Sequence, residues 1–257
     1  MSWELASILF IYGLVVGSFL NVCIYRLPRE KSIVRPGSGC PGCGYRLAWY
    51  DNIPLLSWVW LRGRCRRCQQ AIGWVYPLVE LTTALLALQV GYQFGLTWSS
   101  LLIALLGCAF LVLMMIDFYH YILPDIITLP GIVLGLLVAA LPISEPPLAT
   151  LEAALWGAGL GGGGLWLFAY LFEKITGKVG MGMGDIKLLA MIGAWLGWQS
   201  LPLTLFLAGL LGSVVGIIWM VVAHRDRSQQ IPFGPYLVLG AWVHLCCGPE
   251  IYRWYFS

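Results

Sequence analysis

Trp98 to Asp117 reads WSSLLIALLGCAFLVLMMID, a run without a single charge until the carboxylate that closes it. About 20 apolar residues rising 1.5 Å each cover the roughly 30 Å of a bilayer core, so the run is expected to be one spanning α-helix. Asp117 then stands at the edge of hydrocarbon, where an ionised side chain is costly and usually has a job. A second aspartate is framed in the same way. Gly180-Met181-Gly182-Met183-Gly184-Asp185 leads into the next apolar stretch.

Outward from these two positions the whole chain is apolar. Of 257 residues, 60% are hydrophobic and 11% charged, and the mean hydropathy is +0.82. Soluble domains carry roughly 25% charged residues, so a soluble enzyme is excluded. Uncharged windows at 5–25, 81–116, 126–144, 153–172, 188–224 and 228–249 give the span pattern. The two longest each hold two helices, broken at Gly91–Gly95 and at Gly197–Pro202. About eight transmembrane helices result, near 4–24, 75–91, 97–116, 126–141, 152–172, 186–197, 201–223 and 232–248. The sixth is short for a crossing and is expected to tilt, extend or re-enter.

Positive charge orients this arrangement. Nine of the fifteen Lys and Arg residues lie between Arg26 and Arg67, and Lys174, Lys178, Lys187, Arg225 and Arg227 fall on the same side. Only Arg253 falls on the other. The positive-inside rule therefore puts 26–74, Asp117 and Asp185 on the cytoplasmic face and both termini outside. The same rule accounts for the basic loop beside a lipid bilayer, and nucleic acid is not an expected partner. Helix one lacks a basic n-region and a cleavage site, so it is expected to be retained.

The fold class is thus an all-α polytopic membrane protein with a small cytoplasmic zinc-knuckle domain after helix one. Its parts are helix one (1–25), the tetracysteine segment (26–74), helices two and three (75–116), and helices four to eight with their loops (117–257). Helix three joins the last part to form the catalytic core.

Cys40-Pro41-Gly42-Cys43 and Cys65-Arg66-Arg67-Cys68 are two CxxC pairs. Each presents two thiolates from one turn, and together they offer the closed tetrahedral sulfur shell of a structural Zn²⁺ site. Gly42 and Gly44 would ease the first turn, and Arg64, Arg66 and Arg67 would offset the thiolate charge. Redox-active or unliganded thiols are the alternative. Cys23, Cys108, Cys246 and Cys247 read as small apolar residues in spans.

The acidic groups admit two chemistries. If Asp117 and Asp185 meet, they can share one proton, one acting as base on water and the other as acid toward a peptide carbonyl. A proton-coupled transporter uses the same ingredients. Asp125, after Pro124, is expected to cap helix four. Lys187 would tether its loop to a headgroup or to Asp117. Gly13, Gly17 and Ser18 allow close helix packing, Asn21 a hydrogen bond across it, and Glu80 is the lone acid inside helix two. The glycine run from Gly157 to Gly164 reads as close packing, with no phosphate-loop spacing.

Taken together, Gly17-Ser18-Phe19-Leu20-Asn21-Val22 with Arg26-Leu27-Pro28, the CxxC pairs, Tyr76-Pro77-Leu78-Val79-Glu80-Leu81, Asp117 with Leu123-Pro124-Asp125, and Gly182-Met183-Gly184-Asp185-Ile186-Lys187 resemble the bacterial type IV prepilin peptidases. The resemblance implies a bacterial inner-membrane aspartic protease of the GxGD type. It would cleave the basic leader of type IV prepilins or type II secretion pseudopilins at the cytoplasmic face. It would also methylate the new amino terminus with S-adenosylmethionine. The same resemblance implies Asp117 and Asp185 as the catalytic pair and Gly182, Gly184 and Lys187 as their frame. It points to Glu80, Asn21 and Arg26 as candidates for the methyl donor. Glu30, Asp51 and Glu173 are acids that a basic leader could meet. The residues do not single out a particular pilin and assign no oligomeric state.

Overall fold

The structure is a computed structural model that describes residues 1–141, 148–177, 180–223 and 231–256. Ten α-helices follow in order among the described residues: α1 (Trp3–Arg26), α2 (Leu56–Trp60), α3 (Val75–Phe94), α4 (Trp98–His120), α5 (Asp125–Ala140), α6 (Leu151–Ala158), α7 (Leu165–Thr176), α8 (Met183–Leu196), α9 (Ser200–Ala223) and α10 (Gly234–Phe256). A π-helical segment, Gly159–Gly164, joins α6 to α7. No β-strand occurs among the described residues, which hold only two isolated bridges, Gly39 with Arg46 and Arg64 with Ala71.

Among the described residues, each of the expected spans coincides with helix over most of its length. Five helical stretches among these residues are long and apolar enough to cross a membrane: Trp3–Arg29, Val75–Phe94, Trp98–His120, Leu151–Thr176 and Ser200–Val222. Asp125–Ala140 and Gly234–Gly248 are apolar but shorter. Large apolar side chains such as Ile8, Ile11, Tyr12 and Val15 on α1 point outward, which suits a hydrocarbon surround. The chain is an all-helical membrane protein.

Two compact units divide it, Met1–Val112 and Leu113–Ser257. In the first, α1 lies against α3. Small residues permit this close approach. A Cβ added at Gly13 would sit 2.6 Å from the Ala84 Cα, and one at Gly17 would sit 2.7 Å from the Glu80 Cα. Asn21 then crosses the seam, its Nδ2 donating to the Tyr76 carbonyl at 3.0 Å. The packing and hydrogen-bonding readings of these positions both hold.

In the second unit α8 is the centre, with α5, α6, the π-helical segment, α9 and α10 around it. Its residues from Leu188 to Leu196 are all buried, and a helix apolar on every side belongs in such a place. Within the Gly157–Gly164 run, Gly157, Gly161 and Gly162 serve close packing, as expected, whereas a Cβ added at Gly159, Gly163 or Gly164 would meet nothing within 4 Å among the described residues. Gly157 meets Gly193 backbone to backbone, and a Cβ at Gly161 would lie 2.6 Å from the Leu189 carbonyl oxygen. On the opposite side, Trp195 Nε1 donates to the Gly131 carbonyl at 2.8 Å.

Helix ends differ from the sequence expectation. α4 runs through Asp117 to His120, because the turn comes only at Tyr121, whose φ is +57°. α3 passes Gly91, where the missing side chain admits Leu9, and breaks at Gly95 with φ +68°. α10 continues past its apolar part to Phe256, a polar end held by an Arg253–Glu250 pair at 3.1 Å. Lys178, Arg225 and Arg227, used above to orient the chain, lie outside the described residues.

Candidate active site

The last turn of α4 and the first turn of α8 bring the two aspartates to one place. Asp117 and Asp185 line a single cavity of about 320 Å³, together with Tyr121, Ile122, Leu123, Asp125, Gly182, Met183, Gly184 and Lys187. Asp117 is buried, 5% exposed. Its Oδ2 accepts the Gly234 amide at 2.9 Å. That amide belongs to the free N-terminal end of α10, where backbone donors lack helical acceptors and favour negative charge. A Cβ at Gly234 would lie 2.7 Å from the same oxygen.

The two glycines of the Gly182-Met183-Gly184 frame sit in different surroundings. Gly182 is the N-cap of α8, in extended conformation. Its carbonyl accepts the Asp185 amide at 3.2 Å. Gly184 faces Leu123, whose Cβ would be 3.0 Å from an added methyl. The frame therefore lets the Leu123–Pro124 turn close over the start of α8.

Asp125 does not cap α5. Pro124 occupies the cap position without a side-chain bond, and Asp125 is the first helical residue. Its carboxylate instead receives Lys187 Nζ at 2.7 and 2.9 Å. Lys187 is accordingly tied to Asp125, not to Asp117. A partner 62 positions away outweighed the local capping preference.

The cysteine segment builds a second site in the first unit. Two turns of one design carry it. Cys40 N donates to Tyr45 O at 2.9 Å and Gly44 N to Cys40 O at 3.0 Å; Cys65 N donates to Gln70 O at 2.8 Å and Gln69 N to Cys65 O at 3.0 Å. Gly44 (φ +67°) and Gln69 (φ +60°) hold the equivalent left-handed position. Gly42 does not share that conformation; it makes room for Gln70.

The four Sγ atoms lie within 4.8 Å of one another, with Cys40 to Cys68 at 3.7 Å and Cys43 to Cys65 at 4.0 Å. Zn–S bonds of about 2.3 Å in a tetrahedron give S–S edges of about 3.8 Å, so the thiols fit a Zn²⁺ ion. Amides of Cys68 and Arg67 bring the Cys65 thiol down to about 6. The Gln70 amide pulls Cys68 down, but burial and the other three cysteines push it up to about 12. Four such thiols ionise together only around a cation.

Arg66 does not face the thiolates. Its Nε and guanidinium tip bind Asp51 at 2.8 and 2.7 Å, and Tyr45 donates to the same carboxylate at 3.2 Å. Asp51, its side chain wholly buried, thus ties the two knuckles together and is not free for a basic leader.

Beside the knuckles lies a cavity of about 430 Å³, walled by residues that include Asn21, Arg26, Asp51, Trp58, Tyr76 and Glu80. Glu80, 8% exposed, accepts the Leu55 amide at 2.8 Å. Leu55 is the centre of a classic γ-turn, φ +58° and ψ −51°, with Leu56 N on Pro54 O at 2.6 Å. Such turns are rare and strained, and they concentrate at functional sites. Arg26 donates to the carbonyls of Ser32, Pro36 and Gly37 at 2.8, 2.7 and 3.3 Å, so it shapes the wall through the 32–37 loop.

Gly234 and the Leu55 amide are the site groups that the sequence reading passed over, while Asp51, read there as a possible contact for a basic leader, holds the two knuckles instead. The segment Pro232-Phe233-Gly234-Pro235 was the available signal for the first: glycine between prolines at a helix start leaves room for a close neighbour.

The sequence profile described as the bacterial peptidase A24 N-terminal domain matches residues 11–94. The one described as the type IV leader peptidase family matches residues 104–217. The chain is 42% identical to the prepilin leader peptidase/N-methyltransferase of Pseudomonas aeruginosa, over 95% of this chain and 90% of that protein. It is 40% identical to the protein of that name from Aeromonas salmonicida, over 100% and 96%. The Dickeya chrysanthemi protein of that name is 40% identical over 94% and 95%. No solved structure gives a significant match. With this identity running through both units and nearly the full length, the chain belongs to the type IV leader peptidase family.

Proposed function

We propose that this protein is a membrane aspartic endopeptidase that removes the basic leader of type IV prepilins or type II secretion pseudopilins and then N-methylates the new amino terminus. The reading is carried by one observation: Asp117 and Asp185 line the same small cavity, with the Gly234 amide on Asp117. The names of the relatives support both activities.

In this account the dyad is Asp117 and Asp185, framed by Gly182, Gly184 and Lys187. Two carboxylates that line one small cavity can share one proton. The ionised partner takes a proton from water as its oxygen attacks the scissile carbonyl carbon. The protonated partner gives its proton to the carbonyl oxygen. Collapse of the tetrahedral species breaks the C–N bond and protonates the leaving amine. Only water is consumed. A prepilin leader is basic and precedes an apolar segment, so its scissile bond reaches the membrane edge, the depth expected of both aspartates.

S-adenosylmethionine would supply the methyl group from its sulfonium. The cavity beside the knuckles fits such a molecule in size and in having the Glu80 carboxylate for a cation. Glu80, Asn21 and Arg26 are the residues we assign to that wall, Glu80 opposing the positive charge and Arg26 holding the loop. Zn²⁺ on Cys40, Cys43, Cys65 and Cys68 would be structural, since the ligand set is closed. The bacterial inner membrane is the proposed location, with 26–74 and the dyad cytoplasmic and both termini periplasmic.

Purified full-length protein incubated with a prepilin and S-adenosylmethionine tests the reading. Leader loss followed by a mass gain of one methyl on the new amino terminus is the expected result. An intact leader after prolonged incubation in lipid would reject it.

A further inference from the structure

The ionisable groups lining the dyad cavity are Asp117 from α4, Tyr121 from the turn after it, Asp125 from α5, and Asp185 and Lys187 from α8. Among the described residues, the α10 end contributes the uncharged Gly234 amide. Lys187 is, among the described residues, the sole cation in that wall. Two residues along from Asp185, it carries a flexible stem long enough to sweep several ångströms. Its ammonium nevertheless sits squarely on Asp125, bonded to both carboxylate oxygens.

An ammonium loose among the carboxylates of this cavity would pair with them. It would favour the form in which both aspartates are ionised and no shared proton remains. We propose that Asp125 is a positioning residue: by holding Lys187 it keeps this cation off the Asp117–Asp185 pair. Asp125 touches no reacting atom in this arrangement. It acts through Lys187, and the two charges cancel beside the dyad. The inference rests on the peptidase reading above.

The expected pH behaviour has a definite sign. In Asp125→Asn the released ammonium stabilises the doubly ionised dyad, so the shared proton leaves at lower pH. The alkaline limb of kcat then moves to lower pH by about one unit or more, and cleavage above the wild-type optimum falls about tenfold. In Lys187→Gln the Asp125 carboxylate is left unbalanced. The same limb moves to higher pH. Combining Asp125→Asn with Lys187→Gln removes both charges and returns the limb to near its wild-type position, while Asp125→Glu keeps the pair and the profile.

The experiment is the pH profile of kcat and of KM for prepilin cleavage by these four full-length variants in lipid. Opposite shifts in the two single variants, with restoration in the double, are the expected result. If the ion pair only braces α5 against α8, both single variants lose rate alike and the double is no better. That pattern, or an unmoved profile in Asp125→Asn, overturns the proposal. Failure of the peptidase reading is separately visible, because the wild-type protein would then cleave nothing.

Discussion

The Gly234 amide donates to Asp117 Oδ2 at 2.9 Å, which pins a buried carboxylate at the end of α4 to the start of α10. One donor fixes which oxygen is held and leaves the other available. Glycine is required there for space, since an added Cβ would lie 2.7 Å from the bonded oxygen.

Gly234→Ala should therefore displace the Asp117 carboxylate without removing the amide. We expect kcat for leader cleavage to fall about 10- to 100-fold, the scale that small misplacements of reacting groups produce. Steady-state cleavage kinetics check this, and an unchanged kcat contradicts it.

Gly157 and Gly193 touch backbone to backbone, so no side chain fits at either position without moving α6 off α8. Gly193→Ala should cost about 1–3 kcal/mol, as overpacking does. Thermal unfolding of the detergent-solubilised protein should show a lower Tm. A Tm equal to wild type would mean that the contact is looser than described.

The four thiols predict about one zinc per chain by metal analysis. Cys65→Ser should lose most of it, since it removes one of the four thiols and opens the tetrahedral shell. Because Asp51 ties the knuckles together beside the cavity of Glu80, methylation should fall with the metal. Metal-free wild-type protein that still methylates at full rate would contradict the structural role.

Glu80→Gln keeps an oxygen for the Leu55 amide but removes the charge. Equilibrium binding of S-adenosylmethionine should weaken about tenfold, while leader cleavage stays within about twofold, since each 1.4 kcal/mol is a factor of ten. Equal affinity in both proteins would move the methyl-donor site elsewhere.

Helix positions were legible because long apolar windows admit few other readings. Their ends were less so: Asp117 proved to lie inside α4 and α10 ran on to Phe256, since termination depends on turns such as Tyr121 that leave little compositional mark. The cysteine pairs and the two aspartates stood out by spacing and by charge in an apolar context. What stayed hidden was tertiary. Asp125 looked like a cap because the Lys187 that claims it is remote in sequence. Gly234 and Leu55 act through backbone amides, which every residue except proline carries. Asp51 gave no sign of its burial until Arg66 and Tyr45 were brought to it.

The central claim is the shared role of Asp117 and Asp185, and single-turnover cleavage of a prepilin by Asp117→Asn and Asp185→Asn proteins tests it most directly. Each variant, shown to be folded by retained zinc and wild-type Tm, should lose at least about 1,000-fold in rate, because removal of one member disables the pair as a unit. Folded variants that both cleave at the wild-type rate would contradict the account.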